Sequence, residues 1–313
     1  MSGPVSAGGA NRPVVVLAGG TGGARLARGM LDVVGPDLTV VANTGDDLEI
    51  YGAHVSPDPD LVCFWLADRI DERGWGLRGD TFAVMDGLRE QRDDVWFSLG
   101  DRDLAVGIRR ARRLSEGARL TEATAELAGA LGVAARVLPM TDGRVRTRVR
   151  VPDDGWLGLQ EFLIRRRGQG PIQEVHFEGG PQARPTAEVL DALARARTIV
   201  IGPSNPVISI GPILAVPGMR EALSDAAAPV VAVSPIVGGR VLKGPTEEFM
   251  RWAGQPLSAE GVARLYAGVI DAIVADEPVP DLPCLRTETL MADAAGRRAL
   301  AQATLDFAEG LAG

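Results

Sequence analysis

Short runs of apolar residues, separated by amphipathic stretches, mark both ends of the chain. The runs are rich in valine and isoleucine and do not alternate with polar residues; they cover residues 14–18, 38–42, 198–202 and 230–234. Such runs are typical of buried parallel strands. After the first run, a helical stripe follows at Ala27, Met30, Leu31 and Val34. The pattern predicts an α/β fold with a doubly wound, mostly parallel, Rossmann-like sheet.

The middle of the chain has a different pattern, in which helical stripes dominate. Two later stretches, 135–139 and 145–151, have the composition of strands, and the second alternates valine with arginine as an exposed strand does. We therefore predict a loose tail and two structured parts. These are the tail at 1–12, an α/β domain formed by 13–59 and 132–313, and a helical insertion at 60–131 that forms a cap over the sheet.

Composition and charge limit the function. The chain has 33 basic and 41 acidic residues among 313, a net charge of −8, which disfavours a nucleic-acid partner. The apolar stretch 206–219 is too short to span a bilayer and contains two prolines, so we expect no membrane partner. Two distant cysteines, Cys63 and Cys284, form no disulfide framework and fit the cytoplasm. With only two histidines, chemistry must rest mainly on carboxylates, hydroxyls and backbone amides.

The first strand leads directly into a glycine-rich segment that opens a helix: Gly19, Gly20, Thr21, Gly22 and Gly23. Glycine lets the backbone approach a phosphate closely, and a helix N-terminus offers unpaired N–H groups and a partial positive charge. The glycines lack the spacing of the dinucleotide fingerprint, and no Lys-Ser/Thr pair follows as in a P-loop. We interpret the segment as phosphate-binding; the alternative is a tight strand-to-helix turn.

Carboxylates follow the second strand. Asp46 and Asp47 come where doubly wound sheets bind ligands, and Asp60 ends a Ser-Pro-Asp-Pro-Asp segment at 56–60. The loops that carry Asp46 and Asp60 could converge on one cation, and a set of oxygen ligands suits Mg²⁺. The structural alternatives are an Asx turn for the first pair and a helix N-cap for Asp60.

A third loop follows the buried strand at 198–202. Two prolines make it rigid, and its side chains offer donors and acceptors in fixed directions, which suits a nucleotide base or phosphate; the loop contains Gly202, Pro203, Ser204 and Asn205. Further along, Lys243 could reach a phosphate or lie on the surface.

Taken in order, these segments resemble the CofD/FbiA family, the 2-phospho-L-lactate transferases of coenzyme F420 biosynthesis. The resemblance extends from about residue 14 to the C-terminus. It rests on segments 19–26, 43–47, 56–60, 73–76, 99–104, 138–142, 201–206, 209–214, 217–220 and 231–236.

The resemblance implies a Mg²⁺-dependent transfer of a phosphorylated three-carbon acid from a GDP-linked donor. The acceptor would be the side-chain hydroxyl of the deazaflavin Fo (7,8-didemethyl-8-hydroxy-5-deazariboflavin), and GMP would leave. The acid would be 2-phospholactate, phosphoenolpyruvate or 3-phosphoglycerate. These two substrates would be the partners of the chain.

The resemblance also implies roles for individual residues. Asp46 and Asp60 would be the metal-binding or catalytic carboxylates, and we nominate Asp46 as the metal ligand and Asp60 as the base. Fo would lie beneath the cap, against Asp60, Ser98, Asp101 and Trp75. The nucleotide would contact Gly19, Gly20, Thr21, Gly22, Gly23, Asn43, Thr44, Gly202, Pro203, Ser204, Asn205 and Lys243.

Two other functions are alternatives to the transferase. A non-catalytic regulator that binds a sugar nucleotide, as in the YvcK-like family, has a similar glycine loop. An ordinary Rossmann oxidoreductase is disfavoured by the glycine spacing. We expect a homodimer, because symmetric dimers are the commonest oligomers. The apolar segment 207–219 is either the subunit interface or a buried loop and helix on the sheet.

Overall fold

The computed structural model describes residues 12–242 and 244–311, and the statements below concern these residues. The strands are β1 Val14–Ala18, β2 Leu38–Ala42, β3 Leu48–Ile50, β4 Ala53–Val55, β5 Arg136–Pro139, β6 Arg146–Val151, β7 Gly155–Gly158, β8 Glu174–Glu178, β9 Thr198–Ile201, β10 Val230–Val233, β11 Ile236–Val237, β12 Arg240–Val241, β13 Ala272–Ala275 and β14 Cys284–Arg286. The helices are α1 Gly20–Val34, α2 Pro57–Leu66, α3 Ala83–Glu90, α4 Asp101–Ser115, α5 Leu120–Ala130, α6 Leu159–Ile164, α7 Ala187–Arg195, α8 Ile210–Ala215, α9 Met219–Ser224, α10 Thr246–Trp252, α11 Ala259–Leu265 and α12 Ala294–Leu311.

Seven parallel strands form the central sheet, in the order β14-β13-β10-β9-β1-β2-β5. Strands β1 and β2 match the apolar runs residue for residue, and β9 and β10 each end one residue before the run does. All four strands are buried along their whole length, since helices cover both faces of the sheet. The predicted α/β fold is confirmed.

Two apolar cores lie on opposite faces of this sheet. Along β1, Val14 and Val16 pack with α1, α2 and α12, whereas Val15 and Leu17 pack with α7, α8 and α9. This division follows from the period of two in a strand. In the part of the chain that the structure describes, no helix combines the length and apolar character needed to cross a bilayer.

The order of the strands reverses between β1 and β9. From β1 the chain proceeds through β2 and β5 on one side, and it returns to β9 before adding β10, β13 and β14 on the other. Ligands of open α/β sheets bind at such a switch point, beyond the carboxyl ends of the strands. The segments that begin at Gly19 and Gly202 follow β1 and β9 directly. The fold therefore brings both predicted nucleotide loops to one crevice.

The apolar segment 207–219 lies in the core. Ile210, Ile213 and Met219 are buried in the cluster on the α7–α9 face, and α8 contacts β1. Of the two readings of this segment, the structure agrees with the loop and helix on the sheet. The homodimer stays a prediction.

The region between β2 and β5 contains a smaller unit beside the sheet. The hairpin β3–β4 packs with α3 and α4 around its own cluster, which includes Val55, Met85 and Leu104. Helices α2 and α5 instead contact the central sheet, and the predicted boundary at residue 60 falls inside α2. The division of the chain into domains stays a prediction.

Strand β6 belongs to a second, antiparallel sheet in the order β7-β6-β8. Its alternation of valine and arginine indicated an exposed strand, and this interpretation was wrong for the valine face. Val149 and Val151 are buried against Phe162 and Phe249, while Arg150 is exposed. A central strand with one packed face gives the same alternation.

Gly29 sets the distance between α1 and α12. A Cβ at this position would lie 2.4 Å from the carbonyl oxygen of Arg297, a contact that only a shift of backbone can relieve. We expect Gly29→Ala to lower the free energy of unfolding by about 1–3 kcal/mol. The matched control is Gly129→Ala in α5, where no atom lies within 4 Å of the new Cβ and the helix should gain about 0.5–1 kcal/mol. Denaturant unfolding measures both, and equal effects would contradict the packing described.

Candidate functional site

A cavity of about 850 Å³ opens at the switch point of the sheet. Its volume is typical of a site for a molecule of nucleotide size. Seven of the predicted nucleotide-binding residues line it together: Gly19, Gly20, Thr21, Gly22, Pro203, Ser204 and Asn205. Gly23, Asn43, Thr44 and Gly202 are buried and do not line the cavity, and Lys243 lies outside the described residues.

The glycines allow the two loops to touch. A Cβ on Gly22 would lie 2.0 Å from the carbonyl oxygen of Pro203, and one on Gly23 would lie 2.5 Å from Oγ of Ser204. Ser204 Oγ also accepts a hydrogen bond of 3.2 Å from the amide of Gly19. Close approach of one backbone to another therefore explains these glycines, in addition to any approach of a phosphate.

Asn205 has a structural role in the second loop. Its Oδ1 accepts from the amides of Val207 and Ile208, at 2.9 and 3.1 Å, and its Nδ2 donates to Thr246 Oγ1 at 3.2 Å. The side chain thus connects the loop after β9 to the start of α10. Its backbone carbonyl accepts from the amides of Ser209 and Ile210, both at 3.1 Å, so the residue mainly holds the loop in shape.

The N-terminus of α1 faces a buried carboxylate that sequence reasoning passed over. The amide of Gly20 donates to Asp58 Oδ1, and Asn43 Nδ2 donates to Asp58 Oδ2 at 2.9 Å. Burial raises the pKa of Asp58 to about 6. Asp58 belongs to the 56–60 segment, in which we nominated Asp60; both carboxylates lie in the first turn of α2, so no local signal distinguishes them.

Asp60 has a different partner from the predicted cation. Arg110 donates to both carboxylate oxygens, with Nη1 3.0 Å from Oδ2, and both side chains are buried. Burial raises the pKa of Asp60, and the charge of Arg110 opposes that shift. The N-cap interpretation was wrong, because α2 begins at Pro57 and Asp60 lies inside it. Its assignment as base and metal ligand stays a prediction.

Asp46 meets the requirements of a cation ligand. Its Oδ2 accepts from Gln160 Nε2 at 3.1 Å, while its buried Oδ1 has no hydrogen-bond partner among the described residues. Burial, followed by the charges of Asp58 and Asp47, raises the pKa of Asp46 well above its ordinary value. A divalent cation would relieve both the unpaired oxygen and the repulsion.

Few protein ligands surround that oxygen. Within the described ranges, no group of three or more His, Cys, Asp or Glu side chains is arranged to hold a metal. The neighbouring Asp47 is engaged by Ser56 Oγ at 2.6 Å and by His54 Nε2 at 3.0 Å. Mg²⁺ is commonly held by one or two carboxylates together with water and phosphate oxygens. Asp46 thus fits a magnesium ion that the substrate helps to bind.

None of the four residues predicted to contact Fo lines the cavity: Asp60 lies in α2, and Trp75, Ser98 and Asp101 lie between α2 and the start of α4. Trp75 is half-exposed, with Arg73 4.4 Å above its ring and the edge of Phe82 against it. Ser98 is exposed. Asp101 accepts from the amides at the start of α3, so it has a structural task in addition to any contact with a ligand.

Comparison with known proteins identifies the family. The family model described as 2-phospho-L-lactate transferase CofD matches residues 14–303. A phosphoenolpyruvate transferase of Kitasatospora aureofaciens is 38% identical, over 95% of this chain and 98% of its own length. A 2-phospho-L-lactate transferase of Methanosarcina mazei is 39% identical, over 84% of this chain and 87% of its own length.

The chain therefore belongs to the CofD family of 2-phospho-L-lactate transferases, and the predicted resemblance is confirmed. It is a transferase of that type, from a family of coenzyme F420 biosynthesis. A solved structure of a UPF0052 family member from Bacillus halodurans aligns with a TM-score of 0.61 at 17% identity, over 95% of this chain and 100% of that chain. At this identity the likeness supports the fold alone.

The Arg110–Asp60 pair should stabilise the protein strongly. Removing the guanidinium leaves a buried carboxylate without its partner, so we expect Arg110→Met to lower the free energy of unfolding by about 3–5 kcal/mol. The matched control is Arg102→Met on the same helix, where the side chain is exposed and the change should stay within about 0.5 kcal/mol. Denaturant unfolding compares them, and a similar small effect of both variants would contradict the pairing.

Asp103 should make stability depend on pH. Burial, followed by the charges of Asp60 and Asp80, raises its pKa from 3.8 to about 7. Because the folded state then binds the proton more tightly than the unfolded state, the free energy of unfolding falls as the pH rises from about 4 to about 7, at up to about 1.4 kcal/mol per pH unit. In Asp103→Asn, which has no titratable carboxyl at this position, this pH-dependent contribution to the free energy of unfolding is absent. Unfolding curves of the two proteins that stay parallel over this range would exclude the shift.

Proposed function

We propose that the chain transfers a phosphorylated three-carbon acid from a GDP-linked donor to the hydroxyl of Fo, with release of GMP. One observation carries the proposal: the loops after β1 and β9 line a single cavity at the switch point of the sheet, in a chain of a transferase family. In phosphoryl-type transfer the protein mainly positions the reactants and neutralises charge. A nucleotide cavity beside a buried carboxylate cluster suits that task.

The charges around the cavity favour guanosine as the nucleoside. The wall formed by α1 offers helix amides and Arg25 to the phosphates. The wall formed by α10 carries Glu247 and Glu248, each of which has one oxygen on Arg251, so the three side chains together keep a net negative charge. Guanine presents two adjacent N–H donors that a carboxylate can accept together. Uracil presents one N–H between two carbonyl oxygens, which a carboxylate repels. The acidic wall thus supports a GDP-linked donor over the UDP-sugar ligand of the alternative regulator.

Asp46 would hold the magnesium ion through its unpaired Oδ1, with Gln160 fixing the other oxygen. When bound, the ion supplies charge neutralisation on the phosphate oxygens. A base for the acceptor hydroxyl needs a lone pair that faces the substrate. Both carboxylates accept hydrogen bonds on both oxygens, but the donors to Asp58, Gly20 and Asn43, are neutral, whereas the donor to Asp60 is the charged Arg110, which lowers its basicity. Because Gly20 lines the cavity, we propose Asp58 rather than Asp60 as the base.

The direct test incubates the purified protein with Fo, Mg²⁺ and one of three donors, carrying 2-phospholactate, phosphoenolpyruvate or 3-phosphoglycerate. We expect GMP and one form of F420-0, and mass spectrometry of the product identifies the acid. No product with any donor would defeat the proposal. Tight binding of a UDP-sugar without turnover would then favour the regulator.

A variant tests the carboxylate cluster. We expect Asp46→Asn to lower kcat by about 100-fold or more, because the charge that neutralises the transferred group is no longer held in position. GMP affinity measured without Mg²⁺ should change little. The matched control is Asp86→Asn on the exposed face of α3, which should retain full activity. Unchanged kcat in Asp46→Asn would remove this residue from the site. The homodimer and the cytoplasmic location remain predictions.

A further inference from the structure

Two arginines lie against the ring of one tryptophan, and one of them, Arg25, lines the cavity. Trp65 lies on α2, and the guanidinium carbons of Arg25 and Arg297 lie 5.7 and 5.2 Å from its ring centroid. Arg25 belongs to α1 and Arg297 to the first turn of α12. Their like charges are close enough that burial and Arg297 together lower the pKa of Arg25.

Neither guanidinium forms a salt bridge with a described residue. Asp68 is paired with Arg28, and the charge of Arg297 contributes only after that pairing to the lowered pKa of Asp68. Within the described ranges, no carboxylate lies within 4.0 Å of either guanidinium, although the chain carries eight more acidic than basic residues. Among the described residues, the guanidinium of Arg25 donates hydrogen bonds only from Nη2, to the backbone carbonyl oxygens of Met291 and Ala292. A shortage of carboxylates therefore does not explain the unpaired charges.

The cluster also contains three buried donors without an acceptor. Arg25 Nε, Trp65 Nε1 and Arg297 Nε are each shielded from solvent and lack a hydrogen-bond partner. Buried unpaired donors are rare in folded proteins because each has lost its hydrogen bonds to water without gaining a partner. Three unpaired donors and two positive charges in one place favour a negatively charged ligand group that accepts hydrogen bonds and donates none, such as an oxyanion.

The cluster is open to the cavity through Arg25. Arg25 follows Thr21 by four residues, so both lie on one face of α1, and a helical side chain leans toward the helix N-terminus. Arg25 and Met291 line the cavity together with Thr21 and Gly22. An anion that reaches Arg25 can therefore belong to a ligand whose other phosphate lies at the helix amides.

We propose that Arg25 binds a second oxyanion of the ligand, in addition to the phosphate that lies at the helix amides. Arg297 is a positioning residue that maintains the positive charge behind Arg25. This inference rests on the proposed function. The oxyanion is either the terminal phosphate of a guanosine diphosphate or the carboxylate of the three-carbon acid. A guanidinium binds both groups through paired N–H donors.

The test is calorimetric titration with GMP, with GDP and with the phosphoenolpyruvate-linked GDP donor, without Fo. For Arg25→Gln we expect the Kd of the donor to rise about 10-fold or more, while the Kd of GMP changes less than about 2-fold. A loss shared by GDP and the donor assigns the terminal phosphate, and a loss confined to the donor assigns the carboxylate. Arg297→Gln should act in the same direction with a smaller change.

The matched control is Arg298→Gln, which removes the same charge one residue further along α12, where the side chain is exposed. It should leave all three affinities unchanged. Equal changes for GMP and the donor in Arg25→Gln, or no change for either, would overturn the inference. If wild-type protein binds no nucleotide, the proposed function itself fails, so the two failures are distinguishable. If Arg25→Gln does not fold, the Kd values measured for Arg297→Gln provide a second test of the inference.

Discussion

The site depends on direct contact between the loops after β1 and β9. Gly22 meets the backbone of Pro203, and Gly23 meets the side chain of Ser204, at distances that leave no space for a Cβ. Because both loops leave adjacent parallel strands at the switch point, this contact fixes the N-terminus of α1 relative to the crevice. The position of the helix amides, of Asp58 against Gly20 and of Arg25 one turn further along all follow from it.

Groups of like charge lie on the two sides of this contact, carboxylates on one side and guanidinium groups on the other. Asp46, Asp47 and Asp58 share the region below the glycine loop, where burial, followed by their mutual repulsion, raises the pKa of Asp46. Arg25 and Arg297 place two positive charges beside Trp65, and burial together with Arg297 lowers the pKa of Arg25. Without a ligand, each of these two groups of like charges lowers the stability of the folded protein. A ligand that combines phosphate or carboxylate oxygens with a divalent cation would relieve both costs, which links the two halves of the site.

Local pattern was sufficient to predict the central sheet and the crevice. Buried parallel strands are apolar on both faces, so the runs at 14–18 and 38–42 gave their own boundaries, and the polar residues after each run had to meet at one edge. Asp60 shows where this reasoning ends. Its partner Arg110 is fifty residues away, and no local signal connects the two. Asp101 likewise caps α3 rather than its own helix, a pairing set by the packing of α3 on α4.

A crystal structure of the protein with GDP and Mg²⁺ tests the central claim most directly. The account requires the phosphates to contact the amides of Thr21 and Gly22 inside the cavity, with a cation within coordinating distance of Asp46 Oδ1. Nucleotide density outside the cavity, or a nucleotide in the cavity with Asp46 Oδ1 still without a cation, would contradict it.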